Sequence, residues 1–254
     1  MKLRTMLLAS AAVMFAGSAM AADLTNPFYL PGQGEVTSDT AVNYSRTKMK
    51  HNMPTSEQTV LAEELVYGVT DNFAVRGAIA NFFDDQGKYN NDHNFAYELG
   101  AAYNMRSGNV LGQVAANYYT FNPKDFLGHR GTDARWQKIL NGELKIGYDM
   151  GNGLTPYATY SMTGNVDQHD RYLDQSIKAG VHKYADQWAL DAAVRYDFNT
   201  DGKNSNEWWV EAEADYYVKQ NVALGVFGEY YLAGNGSSEV DYDYAAGAHV
   251  KVLF

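Results

Sequence analysis

The chain has 254 residues, no cysteine, a formal net charge of −10 and 46 % hydrophobic residues. The lack of cysteine excludes a disulfide-bonded scaffold, a thiol catalyst and a cysteine metal site. The acidity argues against nucleic acid as a partner, because its phosphates would be repelled. Aromatic residues make up 14 %, including twenty Tyr, yet the mean hydropathy is −0.41, an unusual pairing.

The first 21 residues have the order of a secretory signal peptide. Lys2 and Arg4 form a short basic region, residues 6–16 an apolar run, and residues 19–21, Ala-Met-Ala, a cleavage site between small residues. The apolar run is too short to span a membrane as a helix. The sequence therefore predicts that the chain is exported. Residues 22–33, which come after the signal peptide, contain two prolines and show no alternation of apolar and polar residues.

From residue 34 onward, apolar and polar residues alternate. In the last segment, every second residue from Tyr242 to Phe254 is apolar, and Asp241, Asp243 and Lys251 lie between them. Successive side chains of a strand point to opposite faces, whereas a helix would group its apolar residues at spacings of three and four. The alternation predicts twelve strands, at 34–49, 57–70, 73–83, 94–105, 110–121, 136–150, 154–164, 171–184, 187–198, 207–218, 221–233 and 240–254.

The connections between these strands alternate in length, as in an up-and-down meander whose two ends face different surroundings. Tight turns are expected at 71–72, 106–109, 150–153, 185–186 and 219–220. Longer polar loops are expected at 50–56, 84–93, 122–135, 165–170, 199–206 and 234–239.

The spacing of aromatic residues indicates which face meets lipid. Trp208 and Tyr216, like Trp188 and Tyr196, lie eight residues apart on one apolar face, which corresponds to roughly 20 Å along a tilted strand and approaches the ~25 Å apolar band of a membrane barrel. The apolar faces are therefore expected outside and the charged faces inside. Since backbone groups in lipid must all be paired, the sheet must close. The fold class predicted for 34–254 is all-β, a transmembrane up-and-down antiparallel β-barrel of about twelve strands.

With these features the chain resembles the bacterial outer-membrane β-barrel superfamily. The resemblance also rests on the last strand, which ends in Phe254 after Val252, Val250 and Ala248 on the same face. It implies a place in outer-membrane lipid and recognition of Phe254 by the barrel-assembly machinery. It does not fix an activity, because twelve-stranded relatives include solute and oligosaccharide channels, a phospholipase, a lipid A deacylase and autotransporter barrels. In such a barrel, residues 22–33 would lie in the periplasm or enter the lumen as a partial plug, and the sequence does not choose.

Two strands depart from clean alternation. Glu63 and Glu64 are adjacent, so one of them must face outward, and we expect it near the extracellular edge, where the cost of a charge is small. Gln175 falls on the lipid side between Leu173 and Ile177. The registers of 57–83 and 171–184 stay open.

The predicted lumen is densely charged and more acidic than basic. The residues predicted to line a pore are Glu98, Glu143, Lys145, Asp191, Arg195, Glu211, Glu213, Asp215, Glu229 and Lys251. The same alternation turns inward Glu64, Asp149, Asp174, Asp197, Glu207, Asp241, Asp243, Arg76, Lys178, His182 and His249, together with the aromatic residues Tyr157, Trp209, Tyr217, Phe227 and Tyr231.

Buried charges require water or internal ion pairs, and these two requirements give two functions. With water, the protein is a porin-like passive channel for small solutes, weakly favouring cations. With ion pairs throughout, it is a closed barrel that serves as a structural or surface-binding protein. The channel is the preferred hypothesis; an acidic wall argues against anionic oligosaccharides. The oligomeric state stays open.

Two weaker patterns concern metal binding and catalysis. Asp197, Asn199, Asp201 and Glu207 resemble the opening of a calcium-binding loop, although Glu207 falls one residue early and strands flank the loop. Asp84-Asp85 and Asp167-x-His169 resemble the acidic pair and the Asp-x-His pair of the omptin proteases, although the omptin acids are spaced by one residue. No Gly-x-Ser-x-Gly motif is present. We expect no enzyme, with an outer-membrane hydrolase as the less favoured alternative, and no cofactor, with calcium as the alternative.

Overall fold

In a computed structural model, the chain is a closed barrel of twelve antiparallel strands, each hydrogen-bonded to its neighbours in sequence, with the first strand pairing with the last. The structure describes residues 28–49, 55–84, 94–121, 137–166, 173–199, 206–235 and 240–254. The predicted signal peptide, residues 1–21, lies outside them. The strands are β1 (Val36–Met49), β2 (Ser56–Thr70), β3 (Phe73–Asp84), β4 (Asn94–Ser107), β5 (Val110–Phe121), β6 (Gln137–Tyr148), β7 (Leu154–Asn165), β8 (Leu173–Ala185), β9 (Trp188–Asn199), β10 (Asn206–Lys219), β11 (Val222–Asn235) and β12 (Val240–Leu253).

All twelve predicted strands are confirmed. Each has 12 to 15 residues, more than the ~9–11 that a tilted strand needs to cross a bilayer. Short turns join the strands at one end and longer connections join them at the other, here called the short-turn end and the long-loop end. Val36 and Phe254 close the ring at the short-turn end, where their backbone groups exchange hydrogen bonds of 2.8 and 3.2 Å. Among the described residues, no helix is long and apolar enough to cross a membrane.

The outer face is apolar, as predicted. Leu99 is 69 % exposed there and Val226 60 %. Aromatic pairs stand at both ends of this face: the rings of Tyr196 and Trp208 are 4.6 Å apart near the long-loop end, and those of Trp188 and Tyr216 are 5.0 Å apart near the short-turn end. These are the two aromatic girdles expected at the membrane interfaces.

Inside, the half of the barrel formed by β2 to β6 is filled along its length. Apolar side chains occupy the long-loop end, a polar network the middle, and a second apolar cluster the short-turn end. The first cluster consists of Val60, Ala62, Ala80, Phe82, Ala96, Tyr119 and Ile139, and the second of Leu30, Val66, Ala74, Ala102 and Ala115. These inward apolar residues add an uncharged part to the densely charged lumen that the sequence predicts.

Residues 28–32, in the described part of the N-terminal segment, lie inside the barrel at the short-turn end, and residues 33–35 are exposed. Phe28 is 1 % exposed, and the side-chain amide of Asn104 donates a hydrogen bond to its carbonyl oxygen. Gly68 on β2 has no side chain, and a Cβ there would overlap the carbonyl oxygens of Pro31 and Gly32. These contacts place residues 28–32 against the inner wall, and residues 22–27 lie outside the described residues.

The two departures from alternation have different outcomes. Gln175 faces outward as expected, where it accepts a hydrogen bond from the Tyr160 hydroxyl. Of the two adjacent glutamates, Glu63 faces outward, but its expected position near the extracellular edge is wrong. Glu63 lies midway along the 15 residues of β2, four residues from Tyr67, and pairs in register with Thr40. This position is near the middle of the apolar band.

Hydroxyl groups compensate for part of the cost of this position. Ser38 donates a hydrogen bond of 2.6 Å to Glu63, and Thr40 donates a second.

Two acids expected along the lumen lie at its rims instead. Asp149 follows β6 in a short turn and pairs with Arg106 at 2.9 Å. A hydrogen bond from the Gly151 backbone amide, with a further one from Arg106, holds the pKa of Asp149 below its ordinary value. Asp241 pairs with Lys48 at 3.2 Å, and both side chains are 46 % exposed. Alternation assigns a face to each residue but does not show where the lumen ends.

Candidate functional site: the charged lumen

The structure places all ten predicted pore residues on the inner face. Seven of them fall into three networks, one in the filled half of the barrel and two on the wall formed by β8 to β12, and three pair separately. Each network joins strands that are adjacent in the ring or separated by one strand.

The first network is centred on Arg76 of β3. Its Nε lies 3.1 Å from Glu98 Oε1, and its Nη1 lies 3.9 Å from Glu64. Nε also donates a hydrogen bond of 2.7 Å to Asn117, whose amide in turn donates to Asn141. Glu98 is 2 % exposed and Arg76 8 %. This network packs the middle of the barrel and leaves little of its charge to water.

The second network is centred on Arg195 of β9. Its Nε lies 3.0 Å from Asp197, and its Nη1 lies 3.3 Å from Glu229 and also contacts Glu211. Lys178 reaches Glu211 from β8 at 3.2 Å. The guanidinium lies 5.2 Å from the centre of the Trp209 ring, a cation–π distance.

The third network lies on β10 and β12. Lys251 Nζ is 2.5 Å from Glu213 and 3.5 Å from Asp215. His249 Nε2 is 2.7 Å from Asp215. Lys251 is 2 % exposed, so its ammonium is a fixed counterion for these two carboxylates.

The remaining predicted residues pair nearby. Asp191 accepts a hydrogen bond of 2.6 Å from the Tyr157 hydroxyl and lies 3.6 Å from His182 Nδ1. Glu143 lies 3.7 Å from Lys145 on the same strand.

Acids and bases differ in their exposure to water on this wall. The side chains of Asp191, Asp197 and Glu213 are 23 to 25 % exposed, and that of Glu211 is 17 % exposed. The side chain of Arg195 is 8 % exposed and that of Lys251 1 %. The exceptions are Lys178, at 19 %, and the acids Asp215 and Glu229, at 7 % and 6 %. The water-accessible wall is therefore more negative than a count of its charges suggests.

The weaker patterns are only partly within the described residues. Asp197 and Glu207 face each other across β9 and β10, Asn199 ends β9, and Asp201 lies outside the described residues. Both oxygens of Asp197 lie within 3.1 Å of Arg195 Nε, so a guanidinium occupies the carboxylate that calcium would need. Of the protease-like residues, Asp84 ends β3, and Asp85, Asp167 and His169 lie outside the described residues.

Sequence reasoning missed Asp39 and Asn43 on β1 and the amides Asn117 and Asn141. All four are buried on the inner face. The surrounding sequence of β1 is polar on both faces, so its alternation carries little signal. Asn117 of β5 and Asn141 of β6 fit the predicted polar face, but the candidate residues were selected by charge and these two are neutral.

No protein-family model and no curated protein matches this sequence. Solved structures do match its fold. An outer-membrane channel from Pseudomonas putida F1 is 13 % identical, with a TM-score of 0.64 over 89 % of this chain and 97 % of that one. The NanC porin is 8 % identical, with a TM-score of 0.57 over 84 % and 98 %. The translocator domain of the autotransporter NalP from Neisseria meningitidis is 10 % identical, with a TM-score of 0.53 over 97 % of both chains.

At these identities the similarity concerns the fold and not the activity. The chain is a closed ring of twelve antiparallel strands and has the fold of these bacterial outer-membrane β-barrels.

Proposed function

We infer that this protein is a porin-like passive channel of the bacterial outer membrane, with an acidic lumen that weakly favours small cationic and neutral solutes. The observation that carries the proposal is the uneven exposure of charge on the β8 to β12 wall. Asp191, Asp197 and Glu213 reach water, whereas Arg195 and Lys251 are buried behind them. A narrow passage lined in this way attracts cations and repels anions.

The path of the solute follows from what fills the rest of the barrel. The Arg76 network and the two apolar clusters occupy the side formed by β2 to β6. Twelve strands enclose more space than the eight whose interior is just filled by side chains. We expect the remaining space along the opposite wall, where the partly exposed carboxylates of Asp191, Asp197 and Glu213 lie.

Planar-bilayer recordings across a salt gradient test the proposal. The purified protein should give small, steady currents with a reversal potential of the sign for cation preference. The double variant Asp191→Asn/Glu213→Gln should shift the reversal potential toward zero. Glu63→Gln is the matched control, because it removes a carboxylate from the outer face of the same barrel. Absence of current over a range of salts and voltages would contradict a channel, and anion preference would contradict the acidic lumen.

A closed barrel with a structural or surface-binding role is the second candidate. It is favoured by the burial of Glu98 and Lys251, both 2 % exposed, and by residues 28–32, which lie inside the short-turn end. The same recordings separate the two candidates, because a closed barrel conducts neither ion.

A further inference from the structure

A row of three inward positions crosses β10, β11 and β12. Asp215 pairs in register with Gly225, and Gly225 pairs with His249. Because Gly225 has no side chain, the imidazole of His249 reaches over the middle strand to Asp215. A Cβ at position 225 would overlap both the imidazole and the carboxylate.

The resulting cluster has the donor atoms of a metal site. His249 Nε2 lies 2.7 Å from Asp215 Oδ1 and 3.7 Å from Glu213 Oε1. One ligand atom from each of the three residues lies within 4.8 Å of the others. Imidazole combined with carboxylate suits first-row divalent ions such as Zn²⁺.

Asp39 of β1 gives a second, independent indication of a metal site beside His249. It is 7 % exposed, and neither of its carboxylate oxygens has a hydrogen-bond partner among the described residues. Its Oδ2 lies 3.8 Å from His249 Nδ1, on the side of the ring opposite Asp215. At 3.8 Å this contact is electrostatic and not a hydrogen bond. The negative charge of Asp39 favours a proton on Nδ1, which would leave Nε2 to bind a metal.

In the absence of a metal, the ammonium of Lys251 balances the negative charge of the cluster. Its ammonium contacts Glu213 and Asp215, the same two carboxylates that would bind the ion. Lys251 is also the register partner of Asp39 across β1 and β12. When a metal ion displaces the ammonium, the flexible lysine side chain has the unpartnered oxygens of Asp39 within its own pair of strands.

We propose that Glu213, Asp215 and His249 form a binding site for a divalent transition-metal ion of the Zn²⁺ class, with Asp39 orienting the imidazole and Lys251 competing with the metal. The side chain of Glu213 is 23 % exposed and gives the ion a route from the lumen water. The site does not require that the barrel conducts, so its test is separate from that of the channel.

Calorimetric titration of the full chain in detergent with zinc chloride tests the site. One equivalent should bind. His249→Gln and Glu213→Gln should each raise the Kd by roughly tenfold or more, and Gly225→Ala should do the same without removing a ligand. His182→Gln is the matched control, because His182 is also a lumen histidine beside an acid, and it should leave the Kd unchanged.

The Kd for Zn²⁺ of the Lys251→Gln variant distinguishes a metal site from a purely structural cluster. Removing the competing ammonium should lower the Kd for Zn²⁺, whereas general damage to the cluster would raise it. Only variants that retain the heat-modifiable mobility of a folded barrel on gels enter the comparison.

A measurement on the unmodified protein keeps the proposal testable if the variants do not fold. X-ray absorption at the zinc edge should show one imidazole and oxygen ligands. Absence of binding, binding unchanged by His249→Gln, or a spectrum without imidazole would each overturn the site.

Discussion

The phenyl ring of Phe28 lies on the backbone of Gly147, and a Cβ at Gly147 would overlap the ring. The Lys145 ammonium stands 5.6 Å from the ring centre, and Leu30 packs two residues further on against β2 to β5. The N-terminal segment is thus held by specific side-chain contacts at the short-turn end of the lumen.

If this segment narrows a conducting pore, loosening it should increase conductance. The double variant Phe28→Ala/Leu30→Ala removes both apolar anchors, and Gly68→Ala forces the chain off the wall at Pro31 and Gly32. Both should raise single-channel conductance in planar bilayers. Gly142→Ala is the control, because a Cβ at this position meets open space. Unchanged conductance in both variants would show that the segment does not limit the current.

Arg76 is predicted to be the most important single charge for stability. Replacement by Met leaves Glu64 and Glu98 buried without their counterion, which should lower the free energy of unfolding by about 3–5 kcal/mol. Urea titration in detergent, followed by the gel mobility of the folded barrel, measures the change. Arg106→Met removes an ion pair of 2.9 Å at an exposed turn and should cost no more than about 1 kcal/mol. Equal losses in the two variants would contradict the structural role given to Arg76.

Glu63 faces lipid near the middle of the membrane, where a charge is most costly. Glu63→Gln removes the charge and keeps an acceptor for the hydroxyls of Ser38 and Thr40. It should raise the free energy of unfolding in lipid bilayers by on the order of 1 kcal/mol. Glu57→Gln, six residues toward the long-loop end on the same strand and face, loses a 3.0 Å contact with Arg46 and should give no gain. A loss of stability in Glu63→Gln would contradict this prediction, because it would mean that the hydrogen bonds from Ser38 and Thr40 to the carboxylate outweigh the cost of its charge.

We expect the side chain of Phe254 to contribute to assembly of the barrel in cells but not to the stability of the folded barrel. Its side chain is 73 % exposed, while its backbone is paired with Val36 regardless of the side chain. Phe254→Ala should therefore reduce the amount of folded barrel in the outer membrane of cells several-fold and leave the urea midpoint of the refolded protein unchanged. Leu99→Ala removes another lipid-facing side chain, 69 % exposed, and should affect neither. A shifted midpoint in Phe254→Ala would assign the residue a packing role instead.

The face of nearly every strand residue could be predicted from the sequence, because alternation in a strand assigns sides. Glu213 and Val210 of β10 lie on the inner and outer faces as expected. Depth could not be predicted in the same way. The error for Glu63 arises because alternation says nothing of the distance to the membrane edge, which depends on the register with Thr40.

Contacts between strands were also beyond the sequence. Asp215 and His249 are 34 residues apart, and only the registers of β10, β11 and β12 bring them into one row. Asp39 was missed for a different reason: β1 carries Ser38 and Thr40 on the outer face and Asp39 on the inner, so polarity does not distinguish its two sides.

The missing side chain at Gly225 has a consequence for the junction between β12 and β1. Through it, polar contacts run from Asp215 to His249 and on to Asp39, across the junction of β12 with β1. Parting these two strands would bring buried ionisable groups into contact with hydrocarbon. A lateral opening between β12 and β1, through which an apolar molecule could pass into the lipid, is therefore disfavoured.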